Sequence, residues 1–220
     1  VGTEAVKTIV KYTEVQKTYI KDHFGLESSD GIFVTRSQID KTLPTAQRSC
    51  SLISPFGQDS FYSTTGFIFE IPSESIPWVN NGDAGTSMTS NDIQKPKSSL
   101  SIEEYLSMNQ QPNAKYTETM IDFQFGKPDS VRAVYDFREV PPEPKQLLRI
   151  TNPTKYKQIQ EDRSYILSTR EEWKNTAKKL NIPFINDLPD SSIVQKLRSE
   201  DKRITDNFSA LPLQPEPIVV

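Results

Sequence analysis

The clearest alternation along the chain runs through FYSTTGFIFEIP (61–72), where Phe67, Phe69 and Ile71 fall on one face. A period of two marks a strand. TMIDFQF (119–125) alternates in the same way with Ile121, Phe123 and Phe125 inward. VRAVYDF (131–137) follows with Val131, Ala133, Tyr135 and Phe137. The turn-forming GKPDS between them predicts a hairpin. KTIVKY (7–12) and GIFVT (31–35) are shorter strand candidates. Helical spacing appears where Val15, Tyr19, Ile20 and Phe24 follow Thr13. Thr13 and Gln16 form a capping box at the start of that helix, and Gly25 ends it. LPTAQRSCSLI (43–53) reads as a short helix with Pro44 in its first turn. Ser101 and Glu104 make a second capping box, before IEEYLSM.

Composition shifts twice. Residues 79–100 are poor in large apolar groups and rich in Asn, Ser, Gly and Asp, which predicts a long loop. PPEP (141–144) is a stiff break and the expected domain edge. It divides an α+β domain over 1–140 from a helical C-terminal extension over 141–220. In the extension, Thr169 and Glu172 form a capping box ahead of Trp173, Ala177 and Leu180. Asp190 is placed to cap a helix carrying Ile193, Val194 and Leu197. The ending ALPLQPEPIVV reads as extended.

Charge and residue counts narrow the function classes. The formal net charge is −3, without the basic excess of a general nucleic-acid binder. Cys50 is the single cysteine, which excludes an internal disulfide and a Cys-rich zinc site. It reads as a small buried apolar residue. His23 is the single histidine, at a helix end, where it interacts with the terminus. There is no apolar run long enough for a membrane-spanning helix. The start lacks both an initiator Met and the pattern of a signal peptide, so a fragment or a processed chain working in a reducing, aqueous compartment is expected. Gly-rich phosphate loops, HExxH, CxxC and GxSxG are all absent.

What remains is a series of strands with polar groups at their ends. IVKYT carries Lys11, Tyr12 and Thr13; GIFVTRS carries Thr35 and Ser37; TGFIFEIP carries Glu70; KYTETMIDF carries Glu118. In order and spacing, residues 7–140 resemble the ADP-ribosyltransferase toxins. Members of that family carry an early strand with Arg or His, a helix, a Ser-Thr-Ser-like strand, an inner strand, and a Glu just before a later strand. The resemblance implies an ADP-ribosyltransferase-like split β-sheet core with short helices, NAD as the substrate that donates ADP-ribose, no metal, and a macromolecular, mainly protein, target. It also implies a secreted or injected toxin or effector acting in the cytoplasm of a target cell. Glu118 takes the catalytic place, stabilising positive charge on the ribose as in glycosidases. Lys11 and Tyr12, with Thr35 and Ser37, take the NAD-binding places. Tyr116 and Trp78 take substrate recognition, Trp78 as a ring-stacking side chain.

The chain departs from the family pattern at two places. Lys11 stands where the family has Arg or His, and lysine offers a point charge without a fork of donors. Tyr116 stands two residues before Glu118, where the family usually carries Glu or Gln. Each residue also has a structural reading: a strand-end hydroxyl, a loop carboxylate, a packed Trp, a surface lysine. FYSTT offers a rival Ser-Thr run at 63–65. The alternative class is a non-enzymatic α+β interaction module, with residues 145–220 as a partner contact. A carboxylate-only metal nuclease has little support, because the acids show no shared-face clustering.

Overall fold

The computed structural model describes residues 9–37, 48–53, 63–81, 99–107, 117–121 and 130–186. Thr13 opens helix α1 (Glu14–Phe24) with both hydrogen bonds of the capping box to Gln16, and Gly25 closes it in the left-handed conformation at φ 66°. The second capping box also forms: Ser101 N–H donates to the Glu104 carboxylate and Glu104 N–H donates to Ser101 Oγ, opening α2 (Ile102–Ser107). Both signals are local, so four residues are enough to specify them.

Among the described residues, seven strands form one sheet: β1 (Ile32–Arg36), β2 (Arg48–Leu52), β3 (Thr65–Ile71), β4 (Trp78–Asn81), β5 (Thr117–Ile121), β6 (Val131–Asp136) and β7 (Phe184–Ile185). Their order is β4-β5-β2-β1-β3-β6-β7, antiparallel throughout except for the parallel β6–β7 edge. This is an α+β architecture. The described strands lie in one continuous sheet, where a split core had been expected. β1 and β3 occupy its middle and are buried on both faces: Phe33, Val34, Ile68 and Phe69 are all inaccessible. The α1 side covers one face, where Tyr12 stacks on Phe33 with ring centroids 6.2 Å apart. Strand alternation puts Phe67 on the other face, where Trp173 of the C-terminal helix meets it edge-on at 5.1 Å.

Four elements differ from expectation. Residues 9–12 of KTIVKY form no strand, and 7–8 lie outside the described residues. Val10 N–H goes instead to Ser73 Oγ at 2.9 Å, and Tyr12 turns into the core. Within LPTAQRSCSLI, residues 48–52 are β2, not a helix; 43–47 lie outside the described residues. Position between β1 and β5 decides this, since neighbouring strands satisfy the backbone that a short isolated helix leaves half-bonded. The expected hairpin of 119–137 does not form: β5 pairs with β2 and β4, whereas β6 pairs with β3 and β7. A turn signal permits reversal, but the faces each strand must bury choose its partner. Within the expected loop, residues 78–81 form β4, and Val79 exchanges two backbone hydrogen bonds with Leu100. Residues 82–98 lie outside the described residues.

Beyond PPEP come α3 (Gln146–Thr151) and the single helix α4 (Pro153–Leu180). Thr169, expected as a cap, sits mid-helix, where its hydroxyl donates to Tyr165 O and accepts from Arg138 Nη2. Asp190 and the helix expected after it lie outside the described residues. Trp173, Ala177, Ile182, Phe184 and Ile185 join the same core as the sheet. The break at 141 is therefore a change of composition, and packing continues across it to residue 186.

Two buried carboxylates hold this arrangement. Glu70 accepts from Ser28 Oγ, Ser29 N and Oγ, Gly31 N and Arg132 Nη1, tying the 28–31 turn to β3 and β6. Its Cγ would lie 2.4 Å from a Cβ at residue 31, so Gly31 is required by close approach. Asp136 is inaccessible and accepts from Arg138 Nε and Nη2 at 3.0 and 2.8 Å and from Arg170 Nε at 3.2 Å, which fastens α4 to β6. Burial pushes the Asp136 carboxyl up, but the two guanidinium groups outweigh it and hold it below the usual range. A depressed native value contributes stability above the ordinary Asp pKa of about 3.9 and gives it up as pH falls toward the native value. Urea unfolding is expected to show wild-type stability dropping below about pH 4. Asp136→Asn should start about 3 kcal/mol lower at neutral pH and lose less on acidification. An unchanged acid slope in the variant would contradict this role.

Candidate functional site

The sheet has a short seam. β1 and β2 pair only at Val34↔Leu52 and Thr35↔Ser51, against five paired positions between β1 and β3 and four between β2 and β5. Tyr12 closes one end of the seam. Its hydroxyl donates to Ile53 O at 2.9 Å and accepts from Phe33 N at 3.0 Å. At the other end, Arg36 Nη1 donates to Ser49 O at 2.7 Å, crossing from the last residue of β1 to β2.

A row of polar side chains crosses this seam. Thr35 stands opposite Ser51, Ser51 opposite Glu118, and Glu118 opposite Asn80, on β1, β2, β5 and β4 in turn. Directly opposed residues share a face, so all four side chains project to one side of the sheet. Thr35 and Glu118 are two strand spacings apart, about 10 Å. All four are buried, with Glu118 only 4% exposed. Trp78 and Met120 form the next opposed pair on that face, and both are buried. Within the row, Ser51 Oγ is buried and makes no hydrogen bond. A hydroxyl in that condition is unfavourable by about 1–3 kcal/mol, and such groups are uncommon; Thr119 Oγ1 on β5 is another.

Tyr135 reaches the row from β6 across the intervening strand. Its hydroxyl hydrogen-bonds with Thr35, and burial pushes the phenol well above its ordinary pKa. The path passes over Gly66. A Cβ there would lie 2.8 Å from the Tyr135 hydroxyl and 2.4 Å from Arg36 O, so any side chain at 66 would displace both.

The residues singled out from sequence divide accordingly. Thr35 and Glu118 come together in the row. Trp78 is beside them, but at 2% exposure it packs in the interior and presents no open ring face. Ser37 follows β1 and is exposed. Lys11 does not join them. It is exposed and pairs with Asp30 at 2.7 Å, at the opposite end of β1. Asp30 is five residues before Thr35, roughly 17 Å along an extended chain. Tyr12 is committed to the seam, with both hydrogen bonds made inside the core, so its hydroxyl is structural. Tyr116 lies outside the described residues. In the rival run at 63–65, Ser63 Oγ accepts locally from Thr65 N, and Thr64 O accepts from Phe137 N, extending the pairing of β3 with β6.

Three site residues were missed: Arg36, Ser49 and Ser51. They lie in VTRS and RSCS. The helix expected over 43–53 hides a Ser-x-Ser run that lies on β2, and in GIFVTRS the sequence singles out Thr35 and Ser37 but not Arg36 between them. Spacing held the signal, since Ser49 and Ser51 alternate with Cys50 and Leu52 as a strand requires. Among the described residues, no group of three His, Cys, Asp or Glu is placed to hold a metal ion.

Ser51→Ala is expected to leave unfolding stability unchanged or raise it by up to about 1 kcal/mol, because the lost hydroxyl satisfies nothing. Thr35→Val removes the partner of the Tyr135 hydroxyl and should cost about 1–3 kcal/mol. Chemical denaturation of the two variants side by side checks the contrast, and a Ser51→Ala loss matching that of Thr35→Val would refute it. Comparisons with protein-family models, curated proteins and solved structures find no match to this chain.

Proposed function

We propose that the chain is a mono-ADP-ribosyltransferase-like domain that transfers ADP-ribose from NAD to a macromolecular target. One observation carries the reading: Glu118, the Ser49-Cys50-Ser51 strand and an early strand ending in Arg36 are immediate neighbours in the sheet. The Ser-x-Ser strand and the glutamate are residue types the resemblance calls for. Arg36 follows α1 and faces away from Glu118, so the departure at Lys11 stands.

In this reading Glu118 lies against the ribose. The bond between C1′ and the nicotinamide nitrogen breaks with its electron pair going to nicotinamide, which leaves neutral. Positive charge develops on the ribose, and the Glu118 carboxylate stabilises it. A nucleophile of the target adds to C1′ and releases its proton to solvent. Ser51 supplies a hydroxyl that has no other partner. Arg36 stands on the opposite face from Thr35 by strand alternation, so its part is to hold β2 in register beside Glu118. NAD reaches the row only when whatever buries it moves aside. The target is a protein, and the setting is a toxin or effector acting in the cytoplasm of another cell.

A second reading, a non-enzymatic interaction module, is favoured by the burial of all four row residues. Nicotinamide release from NAD separates the two. Wild type should release nicotinamide and label a target protein in lysate. Glu118→Gln should reduce this by about a hundredfold or more while leaving the melting temperature near wild type. Ser51→Ala should lower turnover about tenfold without loss of stability. If wild type neither binds nor cleaves NAD at millimolar concentration, the enzyme reading falls and the interaction module stands.

A further inference from the structure

The α3–α4 hairpin carries a surface that neither the core nor the polar row uses. Leu147 and Ile150 are 69% and 82% exposed, and their spacing of three puts them on one side of α3. None of residues 145–162 is buried. α4 spans about 42 Å, and Arg163 Nη1 on it donates to Pro141 O. The turn of the hairpin, at Asn152, is exposed. Charge follows the same segment. Lys145, Arg149, Lys155 and Lys157 are exposed, and no Asp or Glu occurs between Pro144 and Gln160, in a chain whose net charge is −3. Lys157 shares Glu161 at 3.5 Å; the other three make no ion pair among the described residues.

We propose that this hairpin is a peripheral membrane-docking tip that seats on an anionic phospholipid surface. Two exposed aliphatic side chains on a short helix are too little for a stable protein interface, which buries about 800 Å² per partner. They suit insertion among acyl chains at the depth of the headgroups, where apolar contact and basic charge act together. The four cations cluster in sequence around the hairpin turn, and a cluster of that size is enough for charge-selective attachment to anionic lipid. Among the described residues no helix is long and apolar enough to cross a membrane, so this contact is superficial.

The test is flotation of the full chain with phosphatidylcholine vesicles, with and without phosphatidylserine. Binding is expected only with phosphatidylserine and should weaken as salt rises. Leu147→Ser combined with Ile150→Ser, and separately Arg149→Glu combined with Lys155→Glu, should each reduce bound protein about tenfold. Melting temperatures should not move, since all four side chains are exposed. Absence of binding to phosphatidylserine vesicles overturns the proposal. So does binding that the serine pair leaves intact, or equal affinity for duplex DNA, which would mark a general polyanion site. None of these readouts involves NAD, so the outcome is independent of the enzyme reading.

Discussion

The hydroxyl of Tyr12 is the contact on which the two halves of the sheet depend. It gives its proton to Ile53 O and takes one from Phe33 N, so a single phenol spans β1 and the end of β2 where their ladder is shortest. Without it, two backbone groups in a fully buried seam would be left unsatisfied. Stacking of the same ring on Phe33 fixes the entry to α1, and the capped helix then carries Ile20 and Phe24 into the core. The hydroxyl is therefore unavailable for a ligand, and burial raises its pKa well above the usual phenol value.

Next to that seam the sheet makes an uneconomical choice of side chains. Interior strand positions ordinarily take aliphatic residues, yet Thr35, Ser51, Glu118 and Asn80 occupy one buried row. Two other carboxylates have an evident structural purpose, although Thr119 Oγ1, on the opposite face of β5 from Glu118, is also buried without a hydrogen-bond partner. Glu70 gathers the 28–31 turn, and Asp136 fastens α4 through two arginines. The Ser51 hydroxyl has no such purpose. Local departures from packing logic of this kind concentrate where a protein acts on something else.

Legibility followed range. Thr13–Gln16, Ser101–Glu104 and Gly25 each needed only a few neighbouring residues, and all three took their expected roles. The two-residue period of 65–71 and 131–136 was equally plain. Partner choice was not plain: β5 and β6 are close in sequence yet lie in different halves of the sheet, because pairing depends on which face each strand must bury. The site suffered most. Glu118 and Thr35 were legible as polar strand residues, but Arg36 was not, since its contact with Ser49 O exists only through strand pairing. RSCSL, lacking β-branched residues, carried too weak a strand signal to expose Ser49 and Ser51.

The sequence by itself determined the caps of α1 and α2 and which strands are apolar enough for the interior, and its single cysteine allows no internal disulfide. These follow from residue type and spacing within a few turns or a single strand. Only the tertiary structure decided that Arg36, Ser51 and Glu118 are neighbours, that Lys11 belongs to Asp30, and that residues 146–185 complete the sheet and its cover. Those are outcomes of register between strands up to some seventy positions apart, as between Ser51 and Glu118. No local propensity encodes a register; the burial of both faces of β1 and β3 imposes it.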